Sequence, residues 1–232
     1  MDKQKPKVTV IIPTYNEEGT IIDLIKDIKK FRDTYVLEII VADGGSKDNT
    51  ISLAKKEGVR IIQNGEKRGK GIDFWEAARK ATGEYIIQID ADNQFSPKEI
   101  PLFVKALDEG ADIAIAHRVD QSMAPAIRTF GNWAQSIITS ILIRKRIYDV
   151  FAGFKATKKA VLMDLNLQER HFGYEAEIVI KGIRKGYKLV QIPVSYRMRE
   201  TGESQVYLIK TGFLNLTSII KTSFIKLPTR KM

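Results

Sequence analysis

The 232-residue sequence contains no cysteine and no long uninterrupted apolar run. Without cysteine there are no disulfides, thiolate metal sites or cysteine nucleophiles, which leaves the compartment open while favouring a cytosolic face. No apolar stretch reaches the roughly 20 residues of a membrane-spanning helix. Residues 2–7 (DKQKPK) lead directly into the first strand pattern, so we expect no N-terminal signal sequence.

An excess of basic residues is the second feature of the composition. Lysine and arginine number 38 against 28 acidic residues, which gives a formal net charge of +10. Such a surface attracts anions, whether nucleotide phosphates, nucleic acid or acidic lipid headgroups, and the sign alone does not distinguish them. The hydrophobic content of 44% is ample for a large core, so we expect one main domain.

Short apolar runs alternate with helical patterns in the first part of the chain. The predicted strands cover residues 8–12, 37–42, 59–63 and 86–89, and a helical pattern follows each of the first three. Strands joined by helices imply right-handed crossovers and a parallel sheet that is covered on both faces. The pattern therefore predicts an α/β sandwich.

Polar loops follow all four of these strands, with the sequences PTYNEE, DGGSKDNT, NGEKRGKG and DADNQ. In parallel sheets of this kind the ligand lies outside the carboxyl ends of the strands. Each loop alone is explained by an ordinary turn or helix cap, but four at corresponding positions indicate a ligand site. Asp43 can accept hydrogen bonds from a base or ribose, Gly44 and Gly45 let the backbone approach a planar ring, and Lys70 can neutralise phosphate.

The fourth strand ends in Asp90, Ala91 and Asp92. Two carboxylates at this spacing on an extended chain point the same way, about 6 to 7 Å apart, so one divalent cation would relieve their repulsion. Gln94 would add a neutral oxygen, and Mg²⁺ or Mn²⁺ prefers such hard ligands together with phosphate oxygens. The alternative is an ordinary polar turn in which Asp92 or Asn93 caps the next segment of the chain.

Several stretches, in this order, resemble family 2 glycosyltransferases with a GT-A fold, and in particular their polyprenol-phosphate sugar synthase branch. The matching stretches are VIIPTYNEEGTI, VADGGSKDNT, RGKGIDFWEAARKATGEYIIQIDADNQFSP, AHR, YDVFAGFKA and PVSYRMRETGES. The resemblance implies a single Rossmann-like three-layer α/β/α sandwich with a mostly parallel central sheet in residues 1–205. An amphipathic, membrane-interface segment with C-terminal helices is expected in residues 206–232.

The resemblance also implies an activity, namely inverting transfer of a hexose from a nucleotide diphosphate sugar to dolichyl or polyprenyl phosphate for glycan assembly. GDP-mannose is the favoured donor, and a UDP-glucose-dependent polyprenyl-phosphate glucosyltransferase is the alternative. The implied cofactor is Mg²⁺ or Mn²⁺. Because a lipid monophosphate is already anionic at neutral pH, it needs no strong enzyme base to attack the sugar.

Candidate site residues follow from the strand-end argument and the resemblance together. Those expected to bind the nucleotide sugar are Pro13, Tyr15, Asn16, Glu17, Asp43, Lys70, Asp90, Ala91 and Asp92. Those expected to hold the metal are Asp90, Asp92 and Gln94. Those expected to act in catalysis are Asp92, Arg118 and Arg128. Those expected to contact the acceptor and its phosphate are Arg118, Arg128, Glu175, Arg197 and Arg199.

Two of these assignments lie near the fifth strand pattern. Residues 111–116 read as a strand with His117 and Arg118 at its end, and we interpret His117 as a structural polar residue rather than a ligand. The stretch that begins at Arg128 is apolar on most faces, which predicts a helix that is buried, interfacial or both.

The acceptor candidates nearer the C-terminus also have alternatives. Glu175 and Glu177 both stand at the start of a helical pattern, and we favour Glu175 for the acceptor end of the site. Arg197 and Arg199 alternate on an extended chain, so both point to one side and suit bidentate phosphate recognition. A solvated basic edge strand is the alternative.

The segment 206–232 mixes apolar residues with lysines and contains no acid after Glu203. Such a composition fits an amphipathic helix that lies in the headgroup layer of an anionic membrane surface. The alternative is a helix docked on the catalytic domain or on a small membrane-anchoring subunit. We therefore expect a peripheral protein on the cytoplasmic face of a membrane.

Two other classes of function compete with this one. A nucleotidyltransferase that forms sugar nucleotides would begin with a glycine-rich, basic signature, which VIIPTYNEEG lacks. A non-enzymatic, basic nucleic-acid-binding α/β protein is allowed by the net charge. Acidic strand ends argue against it, because their carboxylates would repel a phosphate backbone wherever metal was absent. We expect no nucleic acid among the partners.

Overall fold

The structure, a computed structural model, describes residues 7–63, 69–119, 126–197 and 208–228, without the side chains of 126–128 and 208–210. The strands are β1 (Lys7–Thr14), β2 (Val36–Asp43), β3 (Arg60–Gln63), β4 (Tyr85–Ile89), β5 (Ile113–Arg118), β6 (Phe154–Lys158) and β7 (Leu189–Val194). The helices are α1 (Ile21–Lys29), α2 (Thr50–Lys56), α3 (Lys70–Lys80), α4 (Ile100–Asp108), α5 (Ala126–Ile143), α6 (Lys159–Leu165), α7 (Gly173–Arg184) and α8 (Leu208–Phe224). A 3-10 turn, Pro97–Glu99, precedes α4.

The strands form one sheet in the order β3-β2-β1-β4-β6-β5-β7. β1 pairs in parallel with β2 and β4, β2 pairs in parallel with β3, and β5 pairs in parallel with β7. Only β6, which lies between β4 and β5, is antiparallel to its neighbours among the described strands. The predicted α/β class with a mostly parallel sheet is confirmed, whereas β6 was not predicted.

Helices cover both faces of the sheet because alternate strand residues point in opposite directions. Val10 and Ile12 of β1 belong to a buried cluster that also contains apolar residues of α1, α2 and α4. Ile11, between them, belongs to a second cluster with residues of α3, α6 and α7. The result is the three-layer α/β/α sandwich expected from the sequence.

The chain reverses its direction of winding next to β1. It builds β2 and β3 outward on one side and then returns to place β4 on the other, so the carboxyl ends of β1 and β4 flank a topological switch point, where ligands of such sheets bind. Because β6 is antiparallel, it begins at this same edge, and Phe154 pairs with Ile89. Gly153 is thereby placed beside the residue that follows β4, Asp90.

Helix α8 packs against α7 and α5. Ile219 of α8 is fully buried, and Nη1 of Arg184 on α7 donates hydrogen bonds to the carbonyl oxygens of Thr222 and Ile225, both at 2.8 Å. The boundary predicted between residues 205 and 206 lies outside the described residues. None of the described helices combines the length and apolar character needed to cross a bilayer.

Candidate functional site

The carboxylate of Asp43, at the end of β2, closes the turn after this strand. Asp43 is fully buried, and its oxygens accept hydrogen bonds from the backbone N–H groups of Gly45 at 3.0 Å and Ser46 at 3.1 Å. The amide of Gln63 on β3 donates a longer bond of 3.4 Å. This carboxylate therefore fixes the shape of the DGGS loop, and its contact with a nucleoside stays a prediction.

The loops after β1 and β2 are tied into one unit. The backbone N–H of Asn16 donates to Oγ of Ser46 at 2.9 Å, and Oδ1 of Asn16 accepts from the backbone of Lys47 at 2.8 Å. The next residue, Glu17, donates its N–H to Oγ1 of Thr50 at 2.8 Å. Asn16 adopts φ of 53°, a conformation that asparagine tolerates better than most residues. Pro13, near the end of β1, and Tyr15, in the loop that follows, are thus held in fixed positions relative to Asp43.

A charge cluster lies at the carboxyl end of β4. The ammonium of Lys70, the first residue of α3, is 2.8 Å from Oδ1 of Asp90 and 2.8 Å from Oε1 of Glu175, in the first turn of α7. The Glu175 side chain is 3% exposed, whereas those of Lys70 and Asp90 are 17% and 24% exposed. The cluster is therefore closed to solvent at Glu175, whereas a ligand can reach it at Asp90 and Lys70.

Burial and mutual charge shift the titration of these groups. Burial, together with the carboxylates of Glu175 and Asp92, outweighs the Lys70 ammonium and raises the pKa of Asp90 to about 6. Burial alone would raise the pKa of Glu175 as well, but the ammonium groups of Lys155 and Lys70 outweigh it and lower that pKa. Of the two carboxylates, Asp90 is thus the one whose charged form is disfavoured by its surroundings.

Two members of this cluster were not found from the sequence. Lys155 of β6 is 2% exposed, its Nζ lies 3.5 Å from Oε2 of Glu175, and it donates to the carbonyl oxygen of Ala152. Gln88 of β4 donates from Nε2 to Oε1 of Glu175 at 3.3 Å. Burial lowers the pKa of Lys155 although Glu175 opposes that shift. The available signal was a lysine inside an otherwise apolar stretch, which needs a buried partner.

The GKG sequence serves backbone packing. A Cβ on Gly69 would lie 2.4 Å from the carbonyl oxygen of Arg170, and one on Gly71 would lie 2.3 Å from that of Glu169. The backbone N–H of Gly71 donates to the Arg170 oxygen at 2.8 Å. The two glycines therefore allow the start of α3 to pack closely against the segment before α7. This close packing places the Lys70 ammonium next to the Glu175 carboxylate.

Asp92 and Gln94 lie on a loop that is fastened to the segment after β7. The backbone N–H of Gln94 donates to Oδ1 of Asp92 at 3.2 Å, and its side-chain amide donates to the carbonyl oxygen of Arg197 at 3.3 Å. The N–H of Arg197 returns a bond of 2.9 Å to the carbonyl oxygen of Gln94. Arg197 is exposed at this position. A predicted acceptor residue and a predicted metal ligand are thus neighbours, while Arg199 lies outside the described residues.

The two glutamates of α7 have different surroundings. Glu177 accepts hydrogen bonds from the backbone of Gln168 and Glu169 and pairs with Lys181 at 2.5 Å. It holds the segment before α7, whereas Glu175 faces the charge cluster. Of the two alternatives, Glu175 is therefore the residue at the strand ends.

Arg118, at the end of β5, is engaged in a buried ion pair. Its Nε and Nη2 donate to the two carboxylate oxygens of Asp149, the second at 2.7 Å, and both side chains are almost completely buried. Its guanidinium carbon also lies 5.1 Å from the ring centre of Tyr196. In this position Arg118 supports the loop before β6, and direct contact with an acceptor stays a prediction. His117 stacks on Tyr148, as a structural residue would.

The Arg118–Asp149 pair leads to a stability prediction. Arg118→Met should lower the free energy of unfolding by about 3–5 kcal/mol, because it leaves the Asp149 carboxylate buried without a partner. Arg79→Met, on the exposed side of α3, is the control and should change it by less than about 0.5 kcal/mol. Denaturant titration measures both. Adding Asp149→Leu to Arg118→Met should recover most of the loss, and an unchanged midpoint in Arg118→Met would assign the arginine to ligand contacts alone.

The donor atoms at the strand ends suit a divalent cation that shares its ligands with a substrate. Oδ1 of Asp90 is buried without a well-aligned hydrogen-bond donor among the described residues, although the Lys70 ammonium is near it. Within those same residues no three histidine or acidic side chains converge. A cation held by Asp92, Asp90 and Gln94 would therefore take further oxygens from phosphate and water, as Mg²⁺ commonly does. The side chain of Arg128 is not described, and Ala91 is buried between the two aspartates.

Comparison with known proteins agrees with this geometry. The chain is 28% identical over 216 residues to the dolichyl-phosphate hexose transferase of Haloferax volcanii, covering 92% of each chain. It is 31% identical over 210 residues to the dolichol-phosphate mannosyltransferase of Pyrococcus furiosus, covering 86% of this chain and 59% of that protein. Glucosyl-3-phosphoglycerate synthase from Mycobacterium tuberculosis, solved in complex with Mn²⁺, UDP and glucosyl-3-phosphoglycerate, matches with a TM-score of 0.81 at 21% identity, covering 95% and 81% of the two chains.

The structural match shows that the fold is the GT-A fold. The family model of glycosyl transferase family 2 matches residues 9–165, which span β1 to α6 and include the loops after all four of the first strands. These residues include the polar strand ends, the switch point, and Lys70 and Asp90 of the charge cluster, and the chain belongs to glycosyl transferase family 2.

Proposed function

We propose that the protein transfers a hexose, with inversion, from a nucleotide diphosphate sugar to dolichyl or polyprenyl phosphate. The observation that carries the proposal is the cluster of Asp90, Lys70 and Glu175 at the switch point, next to Asp92. Two relatives that match over most of the length of this chain are a dolichyl-phosphate hexose transferase and a dolichol-phosphate mannosyltransferase. GDP-mannose is the favoured donor, and UDP-glucose is the alternative.

The residues of the chain act mainly by positioning. The acceptor phosphate is anionic at neutral pH, so the attack on C1 of the sugar needs no proton-abstracting side chain. Tyr15 and Asp43 hold the nucleoside in the joined loops after β1 and β2, while Arg197 holds the acceptor phosphate beside Gln94. Lys70 and Glu175 keep Asp90 aligned beneath the donor. Alignment of this kind supplies a large part of the rate in two-substrate reactions.

A divalent metal, Mg²⁺ or Mn²⁺, supplies charge neutralisation for the leaving nucleoside diphosphate when it is bound. The residues that would hold it are Asp92, Asp90 and Gln94. Burial, with the nearby carboxylates of Glu175 and Asp92, raises the pKa of Asp90 to about 6, and a bound cation would offset this cost of keeping Asp90 charged. The synthase from Mycobacterium tuberculosis was solved with Mn²⁺ and UDP on the same fold, which supports a divalent metal as the cofactor.

The decisive experiment is a donor panel. The purified protein is incubated with Mn²⁺ or Mg²⁺, polyprenyl phosphate and one of several nucleotide sugars, including GDP-mannose, UDP-glucose and UDP-galactose, and the lipid product is identified by mass spectrometry. A mannosyl lipid phosphate formed only from GDP-mannose would establish the favoured donor, and a glucosyl product would establish the alternative. Transfer to 3-phosphoglycerate without transfer to lipid phosphate would overturn the proposal.

The position of Arg197 leads to a prediction for the acceptor. Arg197→Ala should raise the KM for polyprenyl phosphate by about tenfold or more, since one charged hydrogen bond is lost, while the dissociation constant of the free nucleotide stays within about twofold. Lys188→Ala, on an exposed turn before β7, is the matched control. Equal losses for acceptor and nucleotide in Arg197→Ala would instead place this arginine at the donor diphosphate.

The proposed acceptor is a lipid, so the protein has to reach a membrane. We place it at the cytoplasmic face as a peripheral protein that meets an anionic surface, with or without a small membrane-anchoring subunit. Its formal charge of +10 supports this placement because acidic headgroups attract such a surface.

A further inference from the structure

Helix α5 is apolar on its solvent side. Its solvent side carries Phe130, Trp133, Ile137 and Ile141, with exposed fractions of 65%, 57%, 38% and 69%. Spacings of three, four and four residues place these side chains on one stripe. The opposite side buries hydroxyl groups, including that of Ser136, which is 3% exposed, alongside the apolar side chains of Ile138 and Leu142, which pack against the core. A helix whose outer side faced water would carry polar and charged residues there.

Helix α8, beside it, also exposes apolar side chains. Phe213, Ile220 and Phe224 are 67%, 46% and 73% exposed and lie on one stripe, whereas Ser218 and Thr222 are buried. The Ser218 hydroxyl donates to Oε2 of Glu169 at 2.7 Å. Because α5 and α8 pack against each other, their stripes lie on adjacent helices. We call the exposed apolar residues of both helices the α5–α8 face; they are Phe130, Trp133, Ile137, Ile141, Phe213, Leu214, Ile220 and Phe224.

Positive charge borders this face, and negative charge is lacking there. Arg144, Lys145 and Arg146 directly follow α5 and are exposed, as is Lys226 just after α8. The sequence has no acidic residue in 129–148 or in 208–228. An apolar surface bordered by basic side chains is complementary to a bilayer that contains anionic phospholipid. It is poorly complementary to a second copy of the same face, because the like charges would then be brought together.

The same helices connect the α5–α8 face to the site. Oγ of Ser136 accepts a hydrogen bond of 3.1 Å from the backbone N–H of Val150, the neighbour of Asp149, whose carboxylate pairs with Arg118. Helix α8 packs on α7, which carries Glu175 in its first turn. The α5–α8 face is therefore connected by direct packing to Arg118 and Glu175, two residues predicted to contact the acceptor.

We propose that the α5–α8 face docks the protein on an anionic phospholipid bilayer, with α5 inserting alongside α8. The inference rests on the proposed function only for its consequence, the delivery of a lipid-linked acceptor. Docking itself needs no sugar donor and is measured separately from transfer. The α8 segment alone is not the anchor, since one side of that helix, including Ile219 and Thr222, is buried where it packs against the rest of the protein.

Vesicle binding of the full-length protein tests the proposal. Phe130→Ser with Trp133→Ser on α5, and Phe213→Ser with Phe224→Ser on α8, should each weaken binding to phosphatidylcholine vesicles containing phosphatidylglycerol by about tenfold or more. Leu102→Ser on α4 is the matched control, because Leu102 is also half exposed but lies away from this face. Binding of the α5 variant equal to that of the unaltered protein would overturn the role of α5.

The charged border has its own test. Arg144→Gln with Lys145→Gln should weaken binding to these anionic vesicles by about fivefold per cation removed and leave weak binding to pure phosphatidylcholine vesicles unchanged. Lys55→Gln with Lys56→Gln, exposed at the end of α2, is the matched control. An equal effect of the two pairs would overturn docking through a defined border and indicate attraction by net charge alone.

Tryptophan fluorescence reports insertion directly. In a Trp75→Phe background, Trp133 is the one remaining tryptophan of the sequence, so its emission should shift to the blue on vesicle addition and be quenched by brominated lipid. An unshifted spectrum with bound vesicles would overturn insertion of α5. A concentration-dependent dimer that the α5 and α8 variants dissociate, without vesicle binding, would assign the face to a second copy of the chain.

Transfer assays separate this inference from the proposed function. With a short, water-soluble polyprenyl phosphate, the α5 and α8 variants should match the unaltered protein, whereas with long-chain acceptor in vesicles they should lose activity in proportion to binding. Normal vesicle binding with no transfer to either acceptor would overturn the proposed function and leave the docking face intact.

Discussion

Asp92→Asn should abolish most sugar transfer and leave the fold unchanged. The fold should persist because asparagine keeps the Oδ1 atom that accepts the backbone N–H of Gln94 at 3.2 Å. Activity should fall about 10²- to 10³-fold, because losing an anionic ligand removes several kcal/mol of charge stabilisation and about 1.4 kcal/mol corresponds to tenfold in rate. The measurement is kcat with saturating Mn²⁺, together with far-UV circular dichroism.

The control and the metal titration decide how such a loss is interpreted. Asp23→Asn, at an exposed position in the first turn of α1, removes the same charge far from the strand ends and should retain full activity. In Asp92→Asn the Mn²⁺ concentration for half-maximal activity should rise, since a neutral amide is a weaker ligand. Undiminished transfer by this variant in the presence of EDTA would remove Asp92 from the metal and catalytic assignments.

The strands in the first half of the sheet could be predicted from the sequence because each contains a continuous apolar run. The buried runs at 8–12 and 37–42 lie inside β1 and β2, whose neighbours on both sides are also strands. A strand covered on both faces needs apolar residues at every position, and the sequence shows this locally.

β6 was not predictable in this way, since Lys155 and Lys158 interrupt its apolar pattern. Burial of Lys155 is made possible by Glu175, twenty positions later in the sequence, together with the carbonyl oxygen of Ala152. A pair so far apart in the chain is invisible to periodicity. The sequence pattern therefore did not predict that β6 lies between β4 and β5 and runs antiparallel to both.

The site shows the same division between local and long-range information. The strand-end argument correctly gathered Asp43, Lys70 and Asp90 at one edge, because parallel strands share that edge. It did not provide the partners: Lys70 pairs with Asp90 and Glu175, and Arg118 pairs with Asp149. Glu175 and Asp149 come from the part of the chain around or after β6, so the choice of partner depends on topology rather than on spacing.

Gly153, just before β6, contacts the predicted metal ligand Asp90. The start of β6 lies against the end of β4, and a Cβ on Gly153 would be 2.0 Å from Oδ2 and 2.3 Å from Cγ of Asp90. No side chain fits there without displacing the carboxylate, which Lys70 holds from another direction. Glycine at position 153 is therefore required for the carboxylate of Asp90 to occupy its present position.

Gly153→Ala should consequently lower kcat by about 10²-fold or more, because a displacement of about 1 Å in a catalytic group can cost that much. The free energy of unfolding should fall by about 1–3 kcal/mol, as overpacking of a buried contact typically costs. Gly131→Ala is the matched control: no atom lies within 4 Å of a Cβ there, and the helix α5 should gain up to about 1 kcal/mol.

A double-mutant cycle separates displacement of Asp90 from a general packing defect. Asp90→Ala removes the atoms that the new methyl group would meet, so in that background Gly153→Ala should cost less than about 0.5 kcal/mol of stability. The coupling between the two substitutions then measures the contact itself. Full stability cost in both backgrounds would show that the methyl group strains the backbone instead, and unchanged transfer by Gly153→Ala would show that the position of Asp90 does not limit the reaction.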